Sequence, residues 1–147
     1  MSVLVRTFRE SDREPLRRLY QAARNAAFTW APVDARPLTD FDKHTEQELI
    51  LVALIGQEPV GFASIWEADS FLHNLFVHPR HQRQGVGRAL LGHCAHHFTA
   101  TPTLKCLQAN AGAIRFYSAY GWHVIDEGES SDGPYFLMAW SQASHSL

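Results

Sequence analysis

Leu72-His-Asn-Leu-Phe-Val-His-Pro-Arg-His-Gln-Arg-Gln-Gly-Val-Gly-Arg-Ala-Leu-Leu91 joins a strand, a tight turn and a helix. Phe71 to Val77 has strand character, and Pro79 ends it because its ring fixes φ and removes a donor. Gln82-x-x-Gly85-x-Gly87 follows, and from Arg88 the chain reads as helix. Such a helix start is an anion cradle: its first-turn N–H groups are free and the macrodipole puts partial positive charge there. Gly85 and Gly87 lack Cβ atoms, so a phosphate is expected to approach the backbone closely. Arg80, Arg83 and Arg88 add positive charge.

Two common phosphate motifs fail on spacing. The P-loop needs Lys after its last glycine, and Arg88 stands there. The dinucleotide fingerprint needs a third small residue, and that position is Leu90. The stretch instead resembles the pyrophosphate-binding motif of the GNAT superfamily of N-acetyltransferases, Arg/Gln-x-x-Gly-x-Gly/Ala after a strand ending in Val-x-Pro. Val77-His78-Pro79 and Gln82 to Gly87 match every defined position. Gln82 stands where the family often has Arg, which costs little if backbone N–H groups do most of the phosphate binding.

A second signature lies 23 residues beyond Gly87. Asn110-x-x-Ala113-x-x-Phe116-Tyr117-x-x-x-Gly121-Trp122 resembles the motif that follows the fifth strand in the same superfamily. Phe116 reads as core and Tyr117 as a functional side chain.

The 147 residues suffice for one domain with a core and are too few for two. A single domain over residues 1–140 and a frayed tail over 141–147 are expected. The hydrophobic content of 46% and charged content of 19% are those of a globular protein. A net charge of −2 gives no basic field for nucleic acid or an anionic membrane. No window is long and apolar enough for a membrane span. Two cysteines, Cys94 and Cys106, make no disulfide framework and fit a reduced cytoplasm.

From the amino terminus, Val3 to Phe8 reads as a strand. Ser11 with Glu14 reads as a capping box opening a helix to about Ala27, with Pro15 in its first turn. Phe28 to Pro37 reads as a loop, and Thr39-Asp40 as the cap of a short helix to about Gln47. Glu48 to Leu54 and Val60 to Trp66 read as a hairpin, followed by Phe71 to Val77. A helix from Gly85 to about Phe98 and a strand from Leu104 to Gln108 come next. A helix capped at Asn110 and stopped at Gly121 leads to Trp122 to Glu127, a turn-rich loop over Gly128 to Gly133, and a last strand to Trp140. The order β-α-α-β-β-β-α-β-α-β-β makes an α/β fold, a mixed sheet with helices on both faces. The resemblance sharpens this to the GNAT fold: a mostly antiparallel sheet of about seven strands, splayed between the fourth and fifth.

The resemblance implies acetyl transfer from acetyl-CoA to a primary amine by direct attack in a ternary complex. The pyrophosphate of the acetyl-CoA cosubstrate would sit on Gln82, Arg83, Gln84, Gly85, Val86, Gly87 and Arg88. Its peptide-like arm would pair with the strand edge at Leu75, Phe76 and Val77, with Asn110 as a further contact. Tyr117 matches the family's general acid. His73 lies on the fourth strand near the register of the carboxylate base of some members, and is the base, directly or through water, or else a pocket-lining or satisfied core histidine. In a regular strand Asn74 would face the other way.

Acceptor specificity falls to Phe28, Trp30, Trp66 and Tyr135, with Glu67, Asp69 and Phe71 nearby; Trp30 and Trp66 read equally as core. Aromatics with carboxylates suit a small cationic amine or an amino-acid-like molecule, which is the expected acceptor; a protein or peptide amine, which they would suit as well, is the alternative. A non-catalytic acyl-CoA-binding sensor is the alternative from another class, and Tyr117 argues against it. His78 and His81 flank the cradle as phosphate contacts or plain loop. His93 and His97 have metal-pair spacing, but no carboxylate completes a set, so they read as a solvated helix edge and no metal is expected. The resemblance also allows a homodimer.

Overall fold

The computed structural model describes residues 2–28 and 36–141. Its strands are β1 (Val3–Thr7), β2 (Leu49–Ile55), β3 (Glu58–Trp66), β4 (Phe71–Val77), β5 (Thr103–Leu107), β6 (Trp122–Ser130) and β7 (Gly133–Trp140). They form one sheet in the order β1-β2-β3-β4-β5-β7-β6. Neighbours are antiparallel except β4 and β5, whose parallel pairing is confined to Phe71 with Thr103 and Leu72 with Leu104. From His73 onward β4 has no β5 partner, so the sheet splits there, as the resemblance implies.

β2 is apolar at every position, Leu-Ile-Leu-Val-Ala-Leu-Ile, because both of its faces are covered. Ile50, Val52 and Leu54 pack with Leu16, Leu19 and Tyr20 of α1 (Arg13–Ala27) and Phe41 of α2 (Asp40–His44). Leu51 and Ala53 face the opposite core, with Val86, Leu90, Leu91 and Cys94 of α3 (Val86–Cys94) and Tyr117 of α4 (Ala111–Ala119). Fully buried side chains such as Leu16, Phe41, Phe62 and Leu90 each contribute roughly 1.5–3 kcal/mol. No helix among the described residues is long and apolar enough to cross a membrane.

Three local expectations are corrected. α1 is not capped by Ser11; a 3-10 turn over Glu10–Asp12 precedes it. There the buried Asp12 carboxylate accepts from the Arg9 N–H at 2.8 Å and from both terminal nitrogens of Arg6 at 2.8 and 3.0 Å. α2 stops at His44 rather than Gln47, where Thr45 turns its hydroxyl back onto the Phe41 carbonyl. The expected loop over Gly128 to Gly133 is mostly strand: β6 runs to Ser130, with Gly128 opposite Tyr135. Its outer residues are exposed and polar, so the sequence there has the look of a loop.

Candidate active site

β4 ends at Val77, and His78 leads into a 3-10 turn over Pro79–His81. Arg83 and Gly85 both adopt positive φ, 63° and 82°, and this reverses the chain into α3. Gly85 is the cap residue and brings no side-chain acceptor, so the first-turn N–H groups of α3 have no capping oxygen. A Cβ at Gly85 would meet nothing within 4 Å, so open space lies over this turn. Gly87 is different. A Cβ there would stand 3.0 Å from Cζ of Phe116, so this glycine lets α4 close on α3 rather than leaving room for a phosphate. The Gln82 side chain braces the turn by donating to the Val77 carbonyl at 3.1 Å.

A cavity of about 750 Å³ starts at this turn and follows the split. It is lined by Leu75, Phe76, Val77, Gln82, Arg83, Gly85, Val86, Gly87, Arg88, Asn110 and Tyr117, eleven of the thirteen residues expected to bind the cosubstrate or catalyse. Gln84 lies outside it, with Oε1 3.3 Å from His81 Nδ1. Ala23 and Ala27 of α1 also line the cavity, so it passes through the sheet to the α1 face. A cradle of free N–H groups, an unpaired strand edge and arginines with no ion pair among the described residues fit a long, polyanionic, peptide-like cosubstrate such as acetyl-CoA.

Asn110 caps α4: Oδ1 accepts from the Ala113 N–H at 3.1 Å. Its amide nitrogen has no partner among the described residues and is left to the cavity. Tyr117 is buried against Phe116 and Trp122, with ring centroids at 5.3 and 6.0 Å. Burial pushes its phenol well above the usual range, and the nearby Cys106 and Cys94 thiols add to this. The phenol therefore holds its proton at neutral pH. It donates to no protein group among the described residues.

His73 does not line this cavity. The expectation of a regular strand fails, because Ser64 pairs with Asn74 and the next residue, Ile65, pairs with Leu72. His73 is the extra residue of a β-bulge, which re-aims its side chain. Asn74 does face α2, donating to Ser64 Oγ at 2.8 Å and the His44 carbonyl at 3.1 Å. The bulge brings His73 to that side as well, where its Nδ1 lies 2.7 Å from Glu48 Oε2. Beside it, the Tyr20 hydroxyl lies 2.7 Å from His44 Nδ1. Burial pushes Tyr20 up to about 12 and, with Arg24, pushes His44 down, so both are neutral at pH 7.

The expected acceptor residues do not converge on the cavity. Trp30 lies outside the described residues. Trp66 ends β3 and is partly exposed. Tyr135 is on β7, its ring 4.9 Å from the Lys105 ammonium. Phe28 comes nearest: its ring lies 6.3 Å from that of Phe76, which lines the cavity, and under the Arg36 guanidinium. Sequence reasoning missed Glu48, Ala23 and Ala27, and also Arg115 and Tyr120, which line the cavity from the second motif. The small residues of α1 at helical spacing were a signal for two of these; Glu48 left none.

The sequence profile of the acetyltransferase (GNAT) family matches residues 8–122. The peptidyl-lysine N-acetyltransferase YiaC of Escherichia coli is 35% identical over 83 residues. That match spans 55% of this chain and only about half, 56%, of the relative. Among solved structures, a GCN5-related N-acetyltransferase from Rhodopseudomonas palustris superposes with a TM-score of 0.82 at 20% identity, covering 96% of each chain. The PaiA N-acetyltransferase of Thermoplasma acidophilum, in complex with coenzyme A, gives 0.77 at 16% identity over 96% of this chain and 99% of that one. At these identities the structural likenesses speak for the fold.

Proposed function

Since the chain belongs to the acetyltransferase (GNAT) family, we propose that it transfers an acetyl group from acetyl-CoA to a primary amine by direct attack in a ternary complex. The observation that carries this reading is the cavity through the split sheet, with the anion cradle at one end and the buried, protonated Tyr117 on its wall.

An amine of the lysine type has a pKa of about 10, so at neutral pH it must lose a proton before it can attack. His73, on the α2 side, takes that proton. Tyr117, on the α3–α4 side, gives its proton to the departing sulfur. Backbone N–H groups along Leu75–Val77 hold the pantetheine arm and polarise the carbonyl.

The acceptor is a lysine-type amine on a peptide, the class named for the relative from Escherichia coli. A small amine is the second reading, supported by the aromatic wall of Tyr20, Phe28 and Phe76 beside the cavity.

The test is calorimetry with acetyl-CoA, then thiol release against lysine peptides and free amines, for wild type and Tyr117→Phe. We expect Tyr117→Phe to bind acetyl-CoA as wild type does and to lose about a hundredfold or more in kcat. Binding without turnover on any amine would favour a sensor. No binding would overturn the reading of Gln82 to Gly87.

A further inference from the structure

Glu48 sits immediately before β2, with its side chain only 7% exposed. Its Oε2 accepts the single hydrogen bond this carboxylate makes among the described residues, at 2.7 Å from His73 Nδ1. Oε1 is buried and has no partner among the described residues. A buried carboxylate with one hydrogen bond weakens a fold compared with an apolar side chain of the same size. Among the described residues, His73 is the one hydrogen-bond partner that accounts for an acid there.

His73 is the first residue of β4 beyond the last β4–β5 pair, and it is the bulged residue. It therefore lies at the apex of the split, where a chain laid along the Leu75–Val77 edge would end. Its side chain is 42% exposed, and Nε2 has no protein partner among the described residues. A carboxylate oxygen only accepts, so Nδ1 carries a hydrogen, and in the neutral ring Nε2 carries the lone pair.

We propose that Glu48 is a positioning residue for His73: it fixes the Nδ1–H tautomer and ring orientation, so that Nε2 faces the acceptor amine as the proton acceptor. In the transfer the N–H bond of the ammonium breaks and an Nε2–H bond forms. The imidazole becomes imidazolium against the Glu48 carboxylate, and the freed electron pair of the amine attacks. This rests on the reading of His73 as base.

The test combines ring 15N NMR with kinetics on wild type, His73→Ala, Glu48→Leu, Glu48→Gln and the double variant His73→Ala/Glu48→Leu. Leu removes a buried carboxylate that makes one hydrogen bond, so Glu48→Leu is expected to fold with an unchanged or higher melting temperature. The neutral wild-type His73 ring should show the Nδ1–H tautomer, and Glu48→Leu should lose it. Glu48→Leu should lower kcat about tenfold or more, with the acetyl-CoA KM unchanged. Glu48→Gln, which keeps an acceptor oxygen without the charge, should fall between. The double variant should be no slower than His73→Ala. Wild-type turnover in Glu48→Leu beside a slow His73→Ala overturns this inference alone, as does an Nε2–H tautomer in wild type or additive losses in the double variant. Wild-type turnover in His73→Ala overturns the base reading, and this inference with it.

Discussion

Asp12 and Glu48 are both buried acids, and their partners separate a structural role from a functional one. Asp12 accepts three hydrogen bonds, two from Arg6 and one from the Arg9 N–H. Burial pushes its carboxyl up, but the Arg6 and Arg9 contacts outweigh burial and hold it below the ordinary value. Its stabilising contribution is therefore complete above about pH 4, the unfolded value, and is lost as the pH falls from there through the lower folded value. Asp12→Asn should cost about 2 kcal/mol at pH 7 in urea unfolding and much less at pH 3. An equal loss at both pH values would deny the charge its part. Neither acid could be assigned from sequence. Asp12 was passed over for Ser11 because the cap rule looks one residue too early when a 3-10 turn precedes the helix. Glu48 was invisible because its partner lies 25 residues away and is re-aimed by a bulge that has no composition of its own. Tyr117 was legible, since a motif fixes it within one helix.

Secondary elements were legible wherever a local rule sets them. Val77-His78-Pro79 ends β4, Asn110 caps α4, and Gly121 turns the chain at φ 94° into β6. The two glycines of the cradle were found for one reason and serve two. Gly85→Ala meets no atom but must hold φ near +82°, at a cost of about 1–2 kcal/mol. Gly87→Val keeps its helical backbone and drives Phe116 away, so it should displace α4. Both should weaken acetyl-CoA binding in calorimetry. Only Gly87→Val should also change the near-ultraviolet signal of the Phe116–Tyr117–Tyr120 cluster, because only there does the insult reach those rings. Asn110 allows a similar separation. Asn110→Ala loses the cap, about 1 kcal/mol in melting experiments. Asn110→Asp keeps a capping oxygen but loses the amide N–H, so it should melt as wild type and bind acetyl-CoA less tightly. Equal binding by Asn110→Asp and wild type would leave Asn110 as a cap alone.

At the scale of the molecule, the split sheet also divides the charges. On α1, Arg13, Arg17, Arg18 and Arg24 are paired with Glu10, Glu14, Asp40 or Asp42, and Arg6 holds Asp12. Around the cradle, Arg80, Arg83, Arg88 and Arg115 have no carboxylate partner among the described residues. A chain of net charge −2 thus places four of the six arginines that lack a carboxylate partner among the described residues where a polyanion would bind, Arg9 and Arg36 being the others, although composition alone shows no basic field. Charges on a solvent-facing turn act through water and are screened within about 10 Å at 0.1 M salt. Acetyl-CoA affinity should therefore fall by roughly tenfold between 0.05 and 0.5 M salt. The N–H groups of the cradle should keep the remaining affinity, since hydrogen bonds at a helix start are screened less than exposed charge pairs. Arg83→Ala and Arg88→Ala should weaken binding at low salt and flatten the salt dependence, converging on wild type at 0.5 M. A wild-type affinity independent of salt would mean that the backbone cradle alone holds the phosphates and that the unpaired arginines serve the acceptor or the surface instead.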